Sequence, residues 1–161
     1  MARDTDKTAL REDLARALAA DLGVRERAYQ ASREGATHEE AKPENDKDTR
    51  ALEQSYLARG EAMRVEELRV ALAEVRALDV RPKGERDPAS VGALVTTQDE
   101  EGREARFWLA PHGGGAKVGG SVLVVTPKSP LGKALLGSRA GDECEVVLAG
   151  KTKTLTIVAV S

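Results

Sequence analysis

Asp79-Val-Arg-Pro-Lys-Gly-Glu-Arg-Asp-Pro88 divides this sequence into two halves of different period. The stretch is charged, and Pro82, Gly84 and Pro88 punctuate helix and strand alike, so it reads as a linker. Upstream of it apolar residues recur every three or four positions; downstream they alternate or run together. The pattern predicts an α+β chain, with a helical hairpin over residues 1–80, a linker over 81–90 and a small sheet domain over 91–161.

In the first half, Leu10, Leu14, Leu18 and Leu22 form one stripe, followed by Val24, Ala28 and Ala31 as its expected continuation. The spacing predicts a helix from Thr8 to about Arg33, with Asp6 as N-cap and Gly35 just past the end. A second stripe starts near Thr49 and runs through Leu52, Tyr56, Met63, Val65, Leu68, Leu72, Val75 and Leu78. Two such helices with a short connection pack as an antiparallel hairpin, a two-stranded coiled coil with the stripes face to face. Each arm would be roughly 40 Å long at 1.5 Å per residue.

In the second half, Val91–Thr97 and Glu104–Leu109 read as strands joined by a turn at Asp99-Glu-Glu-Gly102. Ser121–Val125 is an apolar strand. Ser129 and Pro130 are N-cap and first-turn signals for a short helix ending at Leu136. Asp142–Leu148 and Thr152–Val160 close the domain as a hairpin through Ala149-Gly150-Lys151. The expected product is a mostly antiparallel sheet with one short helix packed on it.

Composition narrows the function classes. The chain has 161 residues with a net charge of −2 and only 2% aromatics, which disfavours aromatic pockets and base-stacking readers of nucleic acid. Residues 1–80 carry 14 basic and 18 acidic side chains, residues 81–161 carry 11 and 9, so neither half is a DNA-wrapping surface. No stretch reaches the roughly 18 apolar residues of a membrane span, and the charged N-terminus is unlike a secretory signal. Cys144 has no partner for a disulfide and reads as a small core residue; cytoplasm is the expected compartment. His38 and His112 read as solvated loop residues. Gly132-Lys133 resembles a phosphate loop only weakly, because Pro127 stands where its first glycine belongs.

The hairpin bend, Glu39-Glu-Ala-Lys-Pro-Glu-Asn-Asp-Lys-Asp48, holds five carboxylates in ten residues. Thr37 to Glu40 fits a capping box, and Pro43 suits the opening of the second helix. Together with Val91-Gly-Ala-Leu-Val-Thr, Ser129-Pro-Leu-Gly-Lys-Ala-Leu-Leu-Gly137 and Ala140-Gly-Asp-Glu-Cys-Glu-Val146, the chain resembles the GreA/GreB family of bacterial transcription elongation factors. Glu44-Asn45, Glu53-Gln54 and Tyr56-Leu57 resemble the distal part of that family's hairpin.

The resemblance implies an FKBP-like C-terminal domain that docks on the rim of RNA polymerase's secondary channel. Ser129, Pro130 and Leu131 are then the polymerase-binding residues. The hairpin enters the channel as a monomer, meeting nascent RNA and DNA only indirectly, and stimulates the polymerase's own cleavage of backtracked RNA without being an enzyme itself. Glu40 and Glu44 are the expected catalytic residues; with Asp46 they are the candidate ligands of Mg²⁺, which takes hard oxygen donors and is shared with the polymerase.

One position departs from the pattern. Ala41 stands where the family has an acid three residues before the Glu of Glu-Asn. The alternative is therefore a secondary-channel regulator or inhibitor without cleavage activity. An FKBP-like peptidyl-prolyl isomerase is a remoter alternative, because the second half has only Phe107 and Trp108 to wall a proline pocket.

Overall fold

A computed structural model describes the backbone of residues 5–40 and 48–161, and the side chains of 5–35, 49, 50 and 52–161. Two helices come first, α1 (Lys7–Glu40) and α2 (Asp48–Arg76). Then follow β1 (Leu94–Asp99), β2 (Glu104–Leu109), β3 (Lys117–Val118), β4 (Val122–Val125), α3 (Pro130–Leu135), β5 (Glu143–Leu148) and β6 (Lys151–Val160). Contacts gather these into two compact units: Arg16–Ala73, and the chain up to Ala15 together with Glu74–Ser161. No described helix is long and apolar enough to cross a membrane.

Asp6 caps α1 as its position predicts, its Oδ1 accepting the Thr8 N–H at 2.9 Å. Gly35 does not stop the helix, which runs on to Glu40. Nothing lies within 4 Å of a Cβ placed on Gly35, and a glycine with no left-handed turn to make costs a helix only about 1 kcal/mol. Thr37–Glu40 is therefore helix rather than the capping box expected there, and His38 lies on α1 rather than in a loop.

Within Arg16–Ala73 the two helices meet along a heptad seam. On α2 the seam runs through Gln54, Ala58, Glu61, Val65, Leu68 and Leu72, alternating steps of four and three, with Ala62 and Ala71 covered beside it. On α1 the facing positions include Leu18, Leu22, Arg25, Tyr29 and Ser32, all half-covered. The continuation expected through Val24, Ala28 and Ala31 is on the exposed side instead: Val24 stands two residues from Leu22, about 200° round the helix. Leu52, Tyr56 and Met63 are likewise exposed, Tyr56 at 71%. The distal seam is polar. Arg25 faces Glu61 at 3.8 Å, and Arg69 donates to Glu26 at 2.9 Å, a contact that holds the guanidinium pKa above its ordinary value. Gln54 Oε1 and Glu61 Oε2 are covered without a hydrogen-bond donor.

In the other unit, six strands lie in the order β3-β4-β2-β1-β6-β5. The pairings are antiparallel except β2 with β4, which run parallel, so the sheet is mixed rather than purely antiparallel. One face buries Val95, Phe107, Leu109, Val125, Leu155 and Ile157 against Leu131 and Leu135 of α3. The opposite face buries Leu94, Trp108, Val122 and Val124. Two loops flanking that face are met by α1: Leu14 lies over Gly113 and Leu10 over Gly119, where an added Cβ would fall 2.5 and 2.6 Å from their methyl groups. Asp13 accepts the Gly119 N–H at 3.0 Å.

The first turns of α1 also hold the segment that follows α2. Lys7 Nζ donates to the Arg81 carbonyl at 2.8 Å and Arg11 Nη1 to the Leu78 carbonyl at 3.1 Å. His112, expected to be free in its loop, is paired through Nε2 with the Glu74 carboxylate near the end of α2. The β5–β6 turn is two residues, Ala149 and Gly150, both at positive φ (52° and 76°), as the twist of a tight hairpin requires.

Candidate functional site

The segment between β4 and β5 is a built platform. The chain turns at Thr126, whose carbonyl accepts both the Ser129 N–H at 3.0 Å and the Ser129 hydroxyl at 2.8 Å. Ser129 then caps α3, its Oγ accepting the Gly132 N–H at 3.0 Å. Pro130 sits at the first helical position, where a missing N–H is harmless. Gly132 is there for space: a Cβ on it would lie 1.9 Å from the Thr126 carbonyl oxygen. The Gly-Lys pair that weakly resembled a phosphate loop is thus explained by close packing.

Three residues were expected to contact a partner from this platform, and the structure separates them. Pro130 is exposed. The Ser129 hydroxyl is engaged in the cap as both donor and acceptor. Leu131 is 8% exposed and belongs to the core with Leu135, because their spacing of four turns both toward the sheet. The outward side of α3 belongs instead to Pro130, Lys133 and Leu136, the last 44% exposed. Steps of three from an exposed proline were the available signal for this face.

Glu44 and Asp46 lie outside the described residues, as does Pro43, and Glu40 contributes only its backbone, as the final residue of α1. Among the described residues no group of three or more His, Cys, Asp or Glu side chains could hold a metal ion. Phe107 and Trp108 point to opposite layers and are both buried, with Trp108 Nε1 donating to the Gly92 carbonyl at 3.3 Å. Packing thus consumes the aromatic wall that a prolyl-isomerase pocket would need. Cys144 packs against the core from β5, and burial pushes its thiol pKa up, which makes it a poor nucleophile.

The described residues thus comprise a helical hairpin and, as a separate unit, a mixed sheet carrying a capped, glycine-spaced helix. Residues 84–161 match the family described as "Transcription elongation factor, GreA/GreB, C-term". Two curated relatives are named Transcription elongation factor GreA: one from Rhodopseudomonas palustris is 34% identical over 97 residues, and one from Paracoccus denitrificans is 31% identical over the same length. Each alignment covers 60% of this chain, and the chain spans 60% of the length of those relatives. The crystal structure of the GreA factor homolog Gfh1 of Thermus thermophilus is 18% identical with a TM-score of 0.41, over 91% of this chain and 94% of that one. Over its C-terminal domain the chain is thus similar to the GreA/GreB family.

Proposed function

We propose that this protein is a transcription elongation factor of GreA/GreB type that acts on RNA polymerase in the cytoplasm. Its C-terminal domain docks at the rim of the secondary channel through the α3 platform, and its hairpin enters the channel. The observation that carries the reading is the family match over residues 84–161, which contains the whole Ser129-capped platform. The hairpin has the reach this role needs, since the part of α1 from Arg16 to Glu40 alone would span about 37 Å at 1.5 Å per residue. A slender helix pair reaches a confined site that a globular domain cannot.

The bend then brings Glu40, Glu44 and Asp46 toward the polymerase's catalytic Mg²⁺. Carboxylate oxygens are the donors that ion takes, and one or two of them with water suffice at phosphoryl-transfer centres. The ion, when bound, supplies the polarisation of the phosphodiester and of the attacking water. The chain supplies only ligands and their position, so it stimulates the polymerase's own RNA cleavage and is not itself a nuclease. It works as a monomer, and its contact with nascent RNA and DNA is indirect.

Ala41 favours a second reading, in which the protein occupies the channel and retunes the polymerase without aiding cleavage. One experiment separates the two. Backtracked elongation complexes are incubated with wild type, Glu44→Ala or Glu40→Ala, and RNA shortening is followed in time. Faster shortening with wild type, lost in Glu44→Ala, supports the cleavage factor. Shortening no faster than without protein, with elongation slowed, supports the occluding regulator. Absence of any co-purification with polymerase refutes both.

A further inference from the structure

Between Ala105 and Gly141 the sequence contains Arg106, Lys117, Lys128, Lys133 and Arg139 but no Asp or Glu, in a chain that is otherwise dense in both. Arg106 is satisfied, donating to Thr5 Oγ1 at 2.9 Å and Ser121 Oγ at 2.6 Å on the sheet face away from α3. The others belong elsewhere. Lys117 is in register with Leu123, which packs toward α3, so Lys117 projects to that same side. Lys128 lies in the turn before the Ser129 cap, and Lys133 on the outward side of α3. All three are exposed, and no ion pair of their ammonium groups is found among the described residues. Arg139 follows α3; the nearby Asp142 carboxylate is engaged by the Arg139 backbone N–H at 2.8 Å.

Two apolar groups sit among these cations. Pro130 is exposed at the start of α3, and Leu136 is 44% exposed at its end, one step of three beyond Lys133. Proline and a capped helix end hold this face rigid, so little side-chain or backbone order is lost on contact.

We propose that Lys128, Pro130, Lys133 and Leu136 form a docking face for an acidic protein surface, with the lysines set against carboxylates and Leu136 in a small apolar contact. The proposal rests on the docking reading above and names the chemistry of the polymerase surface that this chain requires. A protein is favoured over nucleic acid because the face is centred on Pro130 and Leu136 and has no aromatic side chain for base stacking. Lysines at a rim act mainly by steering and long-range attraction, so binding is strongest at low salt.

The test measures the affinity of the full chain for core RNA polymerase from about 50 to 500 mM KCl. Lys128→Glu/Lys133→Glu is compared with Lys151→Glu/Lys153→Glu, which makes the same charge change on β6, and with Leu136→Ser. Retained Trp108 fluorescence shows that each variant is folded. The expected result is about tenfold weaker binding for the first pair at low salt, narrowing at high salt, and less than about twofold for the second pair. Leu136→Ser should weaken binding about equally at all salts. Wild type that binds while both lysine pairs behave alike overturns this proposal and leaves the docking reading standing. Tight capture of a duplex or single-stranded oligonucleotide, lost in Lys128→Glu/Lys133→Glu, overturns the choice of an acidic protein. Wild type that fails to bind polymerase at any salt overturns the docking reading and this proposal with it.

Discussion

Replacing Gly132 by alanine tests whether the α3 platform is built by close approach. In an ordinary helix this change is stabilising, by about 1 kcal/mol, because alanine orders more cheaply than glycine. Here the added Cβ would lie 1.9 Å from the Thr126 carbonyl oxygen and 2.7 Å from its carbon, so helix or turn must move by more than 1 Å. Both partners in the clash are backbone, and no side chain can swing aside.

The movement strains three hydrogen bonds at once: Ser129 N–H and Oγ–H to the Thr126 carbonyl, and Gly132 N–H to Ser129 Oγ. At about 1 kcal/mol each they sum to about 3 kcal/mol, against which the helix-propensity gain is small. Any lifting of Leu131 and Leu135 from the core adds to the loss. Urea unfolding followed by Trp108, the sole tryptophan, reads this domain directly, since its ring is fully buried in the layer opposite α3. The expected outcome is a loss of about 2–4 kcal/mol, with a melting temperature lower by about 6 °C or more. Lys133→Ala, at an exposed neighbour, should stay within about 0.5 kcal/mol of wild type. A Gly132→Ala protein as stable as wild type, or more so, would refute the steric argument.

Three further outcomes follow from other parts of the molecule. Gln54→Leu removes a covered, unsatisfied amide oxygen from the hairpin seam and should raise helix stability by about 1 kcal/mol in a circular-dichroism melt; a lower melting temperature counts against a seam at that position. Ala149→Asn places the residue best suited to positive φ before Gly150 and should stabilise the β5–β6 hairpin by about 0.5–1 kcal/mol in urea titration. The Arg81 guanidinium, gripping both carboxylate oxygens of Asp79, holds the Asp79 pKa well below its ordinary 3.8. The contact's stabilisation is therefore present above about pH 4 and is lost as pH falls toward the depressed value. In Arg81→Ala the carboxyl resonance of Asp79 should titrate near the ordinary value, and an unchanged titration would exclude the pairing.

The elements that local chemistry specifies were legible in the sequence: the Asp6 cap, the Ser129-Pro130 start of α3, and the β1–β2 and β5–β6 hairpins. What escaped has identifiable causes. The far half of the hairpin places half-covered Arg25, Ser32, Gln54 and Glu61 at seam positions, whereas the apolar residues Val24, Tyr56 and Met63 lie on open faces. Counting a strict heptad back from Val75 would have found the α2 seam. β3, two residues long, carries no periodic signal, and the parallel β2–β4 pairing joins strands that no tight turn links. The unbroken apolar run Val122–Val125 did carry information, since a strand buried on both faces reads that way. At the platform, a helical step of three from Pro130 separates outward Lys133 and Leu136 from inward Leu131, whereas a motif read as a block does not. The acidic bend was legible only as composition.

Leu10 and Leu14 settle over Gly119 and Gly113, about a hundred positions further along the chain. A ribosome making this protein therefore exposes those two leucines long before the loops that cover them exist, while the intervening helix pair can already zip from neighbour contacts. Translation paused within the linker would leave a finished hairpin beside a greasy, unclaimed stump, which is the kind of surface that holdases seize.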